Sequence, residues 1–137
     1  MFEAVHSERS SAGPAAAWAL IADLGRWPEW SEQVERASVD GELAPGATLA
    51  IKLRRGGTVR HRVLAVEPGR MLAIEARFPG GRQGNEHRVE ARGSGCEISH
   101  RVYVRGPVWP LLALLFGRKR MRRTVTRSVG RLRELVE

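Results

Sequence analysis

Four histidines carry most of the chemistry open to this 137-residue chain. His6, His61, His87 and His100 ionise closest to neutral pH, so each is a candidate acid, base or hydrogen-bonding group. They lie in separate segments with none of the close spacings of a zinc site, so no metal is expected. His87 alternates in phase with Val89 and Ala91, and His100 with Ile98, Val102 and Val104. If those apolar sets face inward, adjacent final strands bring His87 and His100 into one interior. They are therefore the candidate catalytic pair. His61 and Arg62 occupy opposite faces of their strand, and spacing does not say which points in. The single cysteine, Cys96, excludes a disulfide framework and reads as a small buried residue at a strand start. No serine sits in a Gly-x-Ser-x-Gly elbow. Gly80-Gly81-Arg82-Gln83-Gly84 lacks the strand-loop-helix context of a phosphate-cradling loop, so no nucleotide or other cofactor is expected.

The elements that must position these groups are marked by glycine and proline. Residues 2–10 alternate loosely and end at Ser10-Ser11-Ala12-Gly13, a strand exit. Pro14 suits a helix first turn, and Ala15 to Ala22 supply strong helix formers that Asp23-Leu24-Gly25 stops. A second short turn carries Trp27-Pro28-Glu29-Trp30. Breaks at Asp40-Gly41, Pro45-Gly46, Gly56-Gly57, Pro68-Gly69, Pro79-Gly80-Gly81 and Gly93-Ser94-Gly95 then separate six predicted strands. These fall at residues 34–39, 47–54, 58–67, 70–78, 84–92 and 96–105. A single long helix is predicted from about residue 110 to 136, with an apolar stripe through Leu111, Leu114, Leu115, Met121, Val125, Val129, Leu132 and Val136. The class is α+β: a curved antiparallel sheet of about seven strands around a long C-terminal helix, with two short helices after the first strand. Mismatched curvatures leave a hollow between sheet and helix. Trp30, Phe78, Leu111 and Leu115 are its expected apolar walls, with His87 and His100 as its polar contacts.

The segment Ala12-Gly13-Pro14-Ala15-Ala16-Ala17-Trp18, then Asp23, then Trp27-Pro28-Glu29-Trp30, resembles the opening of the START-like helix-grip (SRPBCC) superfamily, in its polyketide cyclase/dehydrase branch. Val63 to Pro68 before a new strand, Gly95 before the last strand, and Gly106-Pro107 before the long helix fit the same pattern. The resemblance spans nearly the whole chain and implies one helix-grip domain over residues 1–137. It also implies that Phe2, Ala4, His6 and Glu8 face the interior, which adds Glu8 to the candidate ligand contacts. His61 completes that set. The first strand departs from the family by its polarity, with His6, Glu8 and Ser10 where apolar residues are common.

Of the net charge of +8, nearly all sits at one end: from Arg105 to Glu137 there are nine basic residues against two acidic. A general nucleic-acid binder is therefore not implied. The longest apolar run, Val108 to Phe116, is nine residues, under half of a membrane span of about 20. With no signal-peptide pattern at the start, a soluble cytoplasmic protein is expected. Val108 to Phe116 is followed by Arg118-Lys119-Arg120-Met121-Arg122-Arg123, an apolar wedge with a basic collar. That pairing suits an anionic membrane surface through residues 109–123, or coverage of the wedge by a second copy; monomer and homodimer both stay open. Three functions fit the residues. One is a carrier or sensor of a small hydrophobic molecule. The others are an aromatase/cyclase or dehydratase using a histidine, and a lipid-handling module at a membrane surface.

Overall fold

The computed structural model describes the backbone of residues 1–137 and every side chain except those of Leu112, Ala113, Leu115 and Phe116. Strand β1 (Phe2–Ser10) leads into α1 (Pro14–Ala22), a 3-10 turn (Leu24–Arg26) and α2 (Trp27–Trp30). Six strands follow: β2 (Val34–Val39), β3 (Thr48–Leu53), β4 (Thr58–Glu67), β5 (Met71–Phe78), β6 (Gly81–Arg92) and β7 (Gly95–Arg105). Helices α3 (Trp109–Phe116) and α4 (Arg118–Val136) complete the chain. All seven strands form one antiparallel sheet in the order β1-β7-β6-β5-β4-β3-β2. Consecutive strands are hairpin neighbours from β2 onward, and β1 closes the far side by pairing with β7. Register shifts at Val34/Arg36 and Val63/Ala65 mark bulges, which bend a sheet. Helix α4 lies across the concave face over β1 and β7, while α1 and α2 fill the other end.

The tryptophan side chains tie α2 onto α1. Trp27 Nε1 donates to the Ile21 carbonyl at 2.9 Å and Trp30 Nε1 to the Leu20 carbonyl at 3.3 Å. Both indoles are buried, which is tolerable because each N–H has found an acceptor.

Two apolar clusters fill the concave side. The larger joins Trp27, Trp30, Leu72, Val89, Ile98, Val129 and Leu132 with the residues of α1. The smaller joins Ala4, Val102, Val104, Met121 and Val125. On the convex side the Tyr103 ring lies flat across Gly84, where any Cβ would sit 2.0 Å from a ring carbon. Its hydroxyl donates to Glu75 Oε2 at 2.8 Å.

The single predicted C-terminal helix is in fact two. Gly117, at φ 69°, breaks it in a left-handed conformation that favours glycine. The stripe of α4 is therefore not continued by α3. Leu111 and Leu114, expected on the inward stripe, are 55% and 77% exposed. β6 also starts earlier than predicted, at Gly81, because Pro79-Gly80 makes a tight turn that lets Phe78 pair with Gly81.

Candidate functional site

His87 and His100 stand directly opposite one another on β6 and β7, with side chains on the concave face. Their ring centroids are 4.1 Å apart with planes inclined by 31°. Each residue is 3% exposed. His100 is held at both ends: Nδ1 lies 2.6 Å from Ser128 Oγ on α4, and Nε2 lies 2.8 Å from Asn85 Oδ1 on β6. A neutral ring donating from Nε2 to Asn85 accepts at Nδ1 from the Ser128 hydroxyl. That hydroxyl has a second acceptor in the Val125 carbonyl at 3.2 Å, so its proton has two places to go.

His87 is held differently. Its ring meets Trp30 edge-on at 5.1 Å and Trp27 at 5.9 Å. Its Nδ1 is buried with no hydrogen-bond partner among the described residues. Burial pushes the His87 imidazole down to about 4. It pushes His100 well below the ordinary histidine range, with repulsion from His87 adding to it. Both rings are therefore neutral at pH 7.

The pair sits where the two apolar clusters meet. On β7, His100 falls between Ile98 of the larger cluster and Val102 of the smaller; on α4, Ser128 falls between Val125 and Val129. The result is a polar belt of buried His87, His100 and Ser128 with half-buried Asn85, across an otherwise apolar interior. Asn85 and Ser128 went unrecognised in the sequence. Both left a signal there: Asn85 shares the strand phase of His87, and Ser128 is a polar residue on the apolar stripe of α4.

The other candidate residues are placed apart from this belt, except Trp30, which packs on His87 inside the core. His61 faces inward opposite Leu49, and Arg62 faces out. Burial lowers His61 to about 4 against the opposing effect of a hydrogen bond the ring donates to the Val59 backbone, and its Nδ1 has no partner among the described residues. Strand β5 lies between its strand, β4, and β6. Glu8 is engaged by His6 Nε2 at 2.9 Å and by Arg133 at 3.2 Å, and these partners hold its carboxyl below the usual range, the His6 bond most. Phe78 ends β5 and is half-buried. Leu111 is exposed on α3, because the break at Gly117 redirects that helix, and Leu115 lies outside the described residues. A hollow of about 570 Å³ opens beside Trp30 between α2 and α4, but its rim is charged, with Glu29, Glu32, Arg127 and Arg131. Among the described residues no cluster of three or more His, Cys, Asp or Glu could hold a metal ion, and no helix is long and apolar enough to cross a membrane.

A seven-stranded antiparallel sheet curled around a C-terminal helix, with short helices after the first strand, is the helix-grip architecture of START-like proteins. The chain belongs to the polyketide cyclase / dehydrase and lipid transport family, whose model matches residues 1–137. Comparison with curated proteins finds no match. Among solved structures, protein MLL2253 from Mesorhizobium loti is similar at 18% identity and TM-score 0.74, over 98% of this chain and 96% of that one. A Thalictrum norcoclaurine synthase point mutant bound to a transition-state analogue is similar at 13% identity and TM-score 0.71, over 98% and 93%. The di-domain ARO/CYC protein BexL of the BE-7585A biosynthetic pathway is similar at 15% identity and TM-score 0.69, over 98% of this chain and 46% of that one. At these identities the likeness establishes a shared fold.

Proposed function

We propose that this protein binds a small, largely apolar molecule between the sheet and α4, and that the histidine belt reads one polar group on it. The observation that carries the reading is the unpartnered, buried Nδ1 of His87. A buried polar atom without a partner costs about 1–3 kcal/mol, so its retention calls for an occupant that completes it. Apolar clusters on either side of the belt suit a hydrophobic skeleton, and a neutral imidazole suits a hydroxyl or carbonyl. The polyketide cyclase and dehydratase readings need a general acid or base, and Brønsted efficiency peaks when its pKa lies near the working pH. A histidine lowered to about 4 is poorly matched to turnover at neutral pH, which favours binding over catalysis.

Native mass spectrometry of the purified protein, with extraction of what it carries, tests this. The expected result is a retained small molecule with an apolar skeleton and at least one hydroxyl or carbonyl. A spectrum of the bare polypeptide, together with no saturable binding of naphthol, would overturn the proposal.

A second reading, docking on an anionic membrane, is favoured by the exposure of Trp109, Leu111 and Leu114 on α3 beside the basic start of α4. Part of that collar is already engaged. Glu32 pairs with Arg123, and Arg118 lies over the Phe2 ring at 4.8 Å. Lys119, Arg120 and Arg122 hold no ion pair among the described residues. At about 1 kcal/mol per basic residue near an anionic surface, converting Arg120 and Arg122 to glutamine should weaken partitioning roughly thirtyfold. Co-sedimentation with phosphatidylserine vesicles at low salt reads this directly. Equal sedimentation of wild type and variant would reject the docking.

A further inference from the structure

The convex face of the sheet carries an arrangement that the concave-face ligand does not use. Arg62 lies directly opposite Glu75 across β4 and β5. Arg60 and Arg77 are each two residues beyond that pair in the same direction, so they share its face and stand across from one another. Arg77 is then directly opposite Arg82, and Arg82 directly opposite Arg105. Four adjacent strands thus present four guanidinium groups in one row, with Arg62 beside it.

Like charges directly opposite one another in a sheet are destabilising. On the neighbouring half of this face the difficulty is met by carboxylates: Arg88 pairs with Glu86, Arg92 with Glu90, and Arg101 with Glu3. Among the described residues Glu75 is the one carboxylate paired with the row, and it is already committed. Its Oε2 accepts from Tyr103 at 2.8 Å and its Oε1 faces Arg82 at 3.6 Å. Arg105 is stacked over the Tyr103 ring at 4.7 Å. No ion pair among the described residues reaches Arg60, Arg62 or Arg77. These three line one hollow of about 700 Å³, together with Thr48.

We propose that this hollow is a second binding site, for a small molecule carrying linked phosphates. Planar guanidinium forks match phosphate oxygens two at a time, which makes arginine the residue suited to such a site. Strands about 4.8 Å apart let one phosphate bridge arginines of neighbouring strands, and the row extends far enough to engage a second. Thr48 adds a neutral hydroxyl donor on β3. The anion removes the repulsion that Glu75, paired with Arg82 alone among the row, leaves at Arg60 and Arg77 among the described residues. The site lies on the opposite side of the sheet from the histidine belt, so it stands or falls independently of the proposed function.

Isothermal titration with inorganic pyrophosphate at low salt tests it. The expected result is one saturable site whose affinity falls at least about tenfold in Arg62→Gln and in Arg77→Gln, each change removing a charge-assisted pair. Arg120→Gln and Arg122→Gln on α4, a comparable loss of surface charge, should leave that affinity unchanged. Without pyrophosphate the Arg77→Gln variant should melt no lower than the wild type, since a like-charge neighbour has been removed. Absence of a saturable site, an equal loss in the α4 variants, or a clearly lower melting temperature of Arg77→Gln would each overturn the proposal.

Discussion

Lowering the pH from 7 to 4 is expected to remove about 3 kcal/mol of folding stability for each of His61 and His87. Each imidazole is lowered by burial from its ordinary value of 6.5 to about 4 in the folded protein. Between those two values the unfolded chain binds a proton that the folded chain refuses. Stability therefore rises with pH across this window, is fully present above 6.5, and is lost as the pH falls toward 4. His100 pulls in the same direction. So does Glu8, whose lowered carboxyl loses its partners only when protonated at still lower pH. For a domain worth about 5–15 kcal/mol in total, such losses bring acid unfolding close to pH 4. Urea denaturation at a series of pH values measures this. Substituting His61 and His87 by glutamine should flatten the profile, and an equally steep profile in the double variant would remove the histidines as its cause.

Truncating Trp30 to alanine should cost about 3–5 kcal/mol, the range for deleting a large buried aromatic ring. Trp30 is 2% exposed and packs on Trp27 at a centroid distance of 5.2 Å as well as on His87. Its loss also leaves the Leu20 carbonyl without the indole N–H. The same truncation at Trp109, which is 37% exposed on α3, should change stability by no more than about 0.5 kcal/mol. Denaturation midpoints of the two variants separate core from surface tryptophan. A loss below about 1 kcal/mol at Trp30 would contradict its place in the core.

The strand plan was legible because turns in this chain are written in glycine and proline, which act locally. Each predicted strand is found within three residues of its expected ends. The start of β6 was hidden for the same reason: Gly81 reads as part of the Pro79-Gly80-Gly81 break by composition, yet pairs with Phe78 of β5. Gly117 was the opposite case. A lone glycine within a helical pattern is commonly tolerated, and only its positive φ makes it a break. The inward phase of His87 and His100 followed from their apolar strand neighbours, whereas the facing of His61 needed the register with Leu49. Ser128 joined the site through a contact across 28 positions, which no local pattern encodes. The convex arginine row was likewise invisible, since Arg60, Arg77, Arg82 and Arg105 become neighbours only when four strands are set in register.

Histidine-selective nitrogen NMR, recorded across a pH series with and without naphthol as a hydroxyl-bearing apolar probe, tests the central claim most directly. The expected result is that His87 stays neutral to below about pH 5 and that naphthol shifts its Nδ1 signal while leaving that of His6 in place. Ionisation of His87 near 6.5, or a naphthol response confined to His6, would contradict the belt as a buried ligand-reading site.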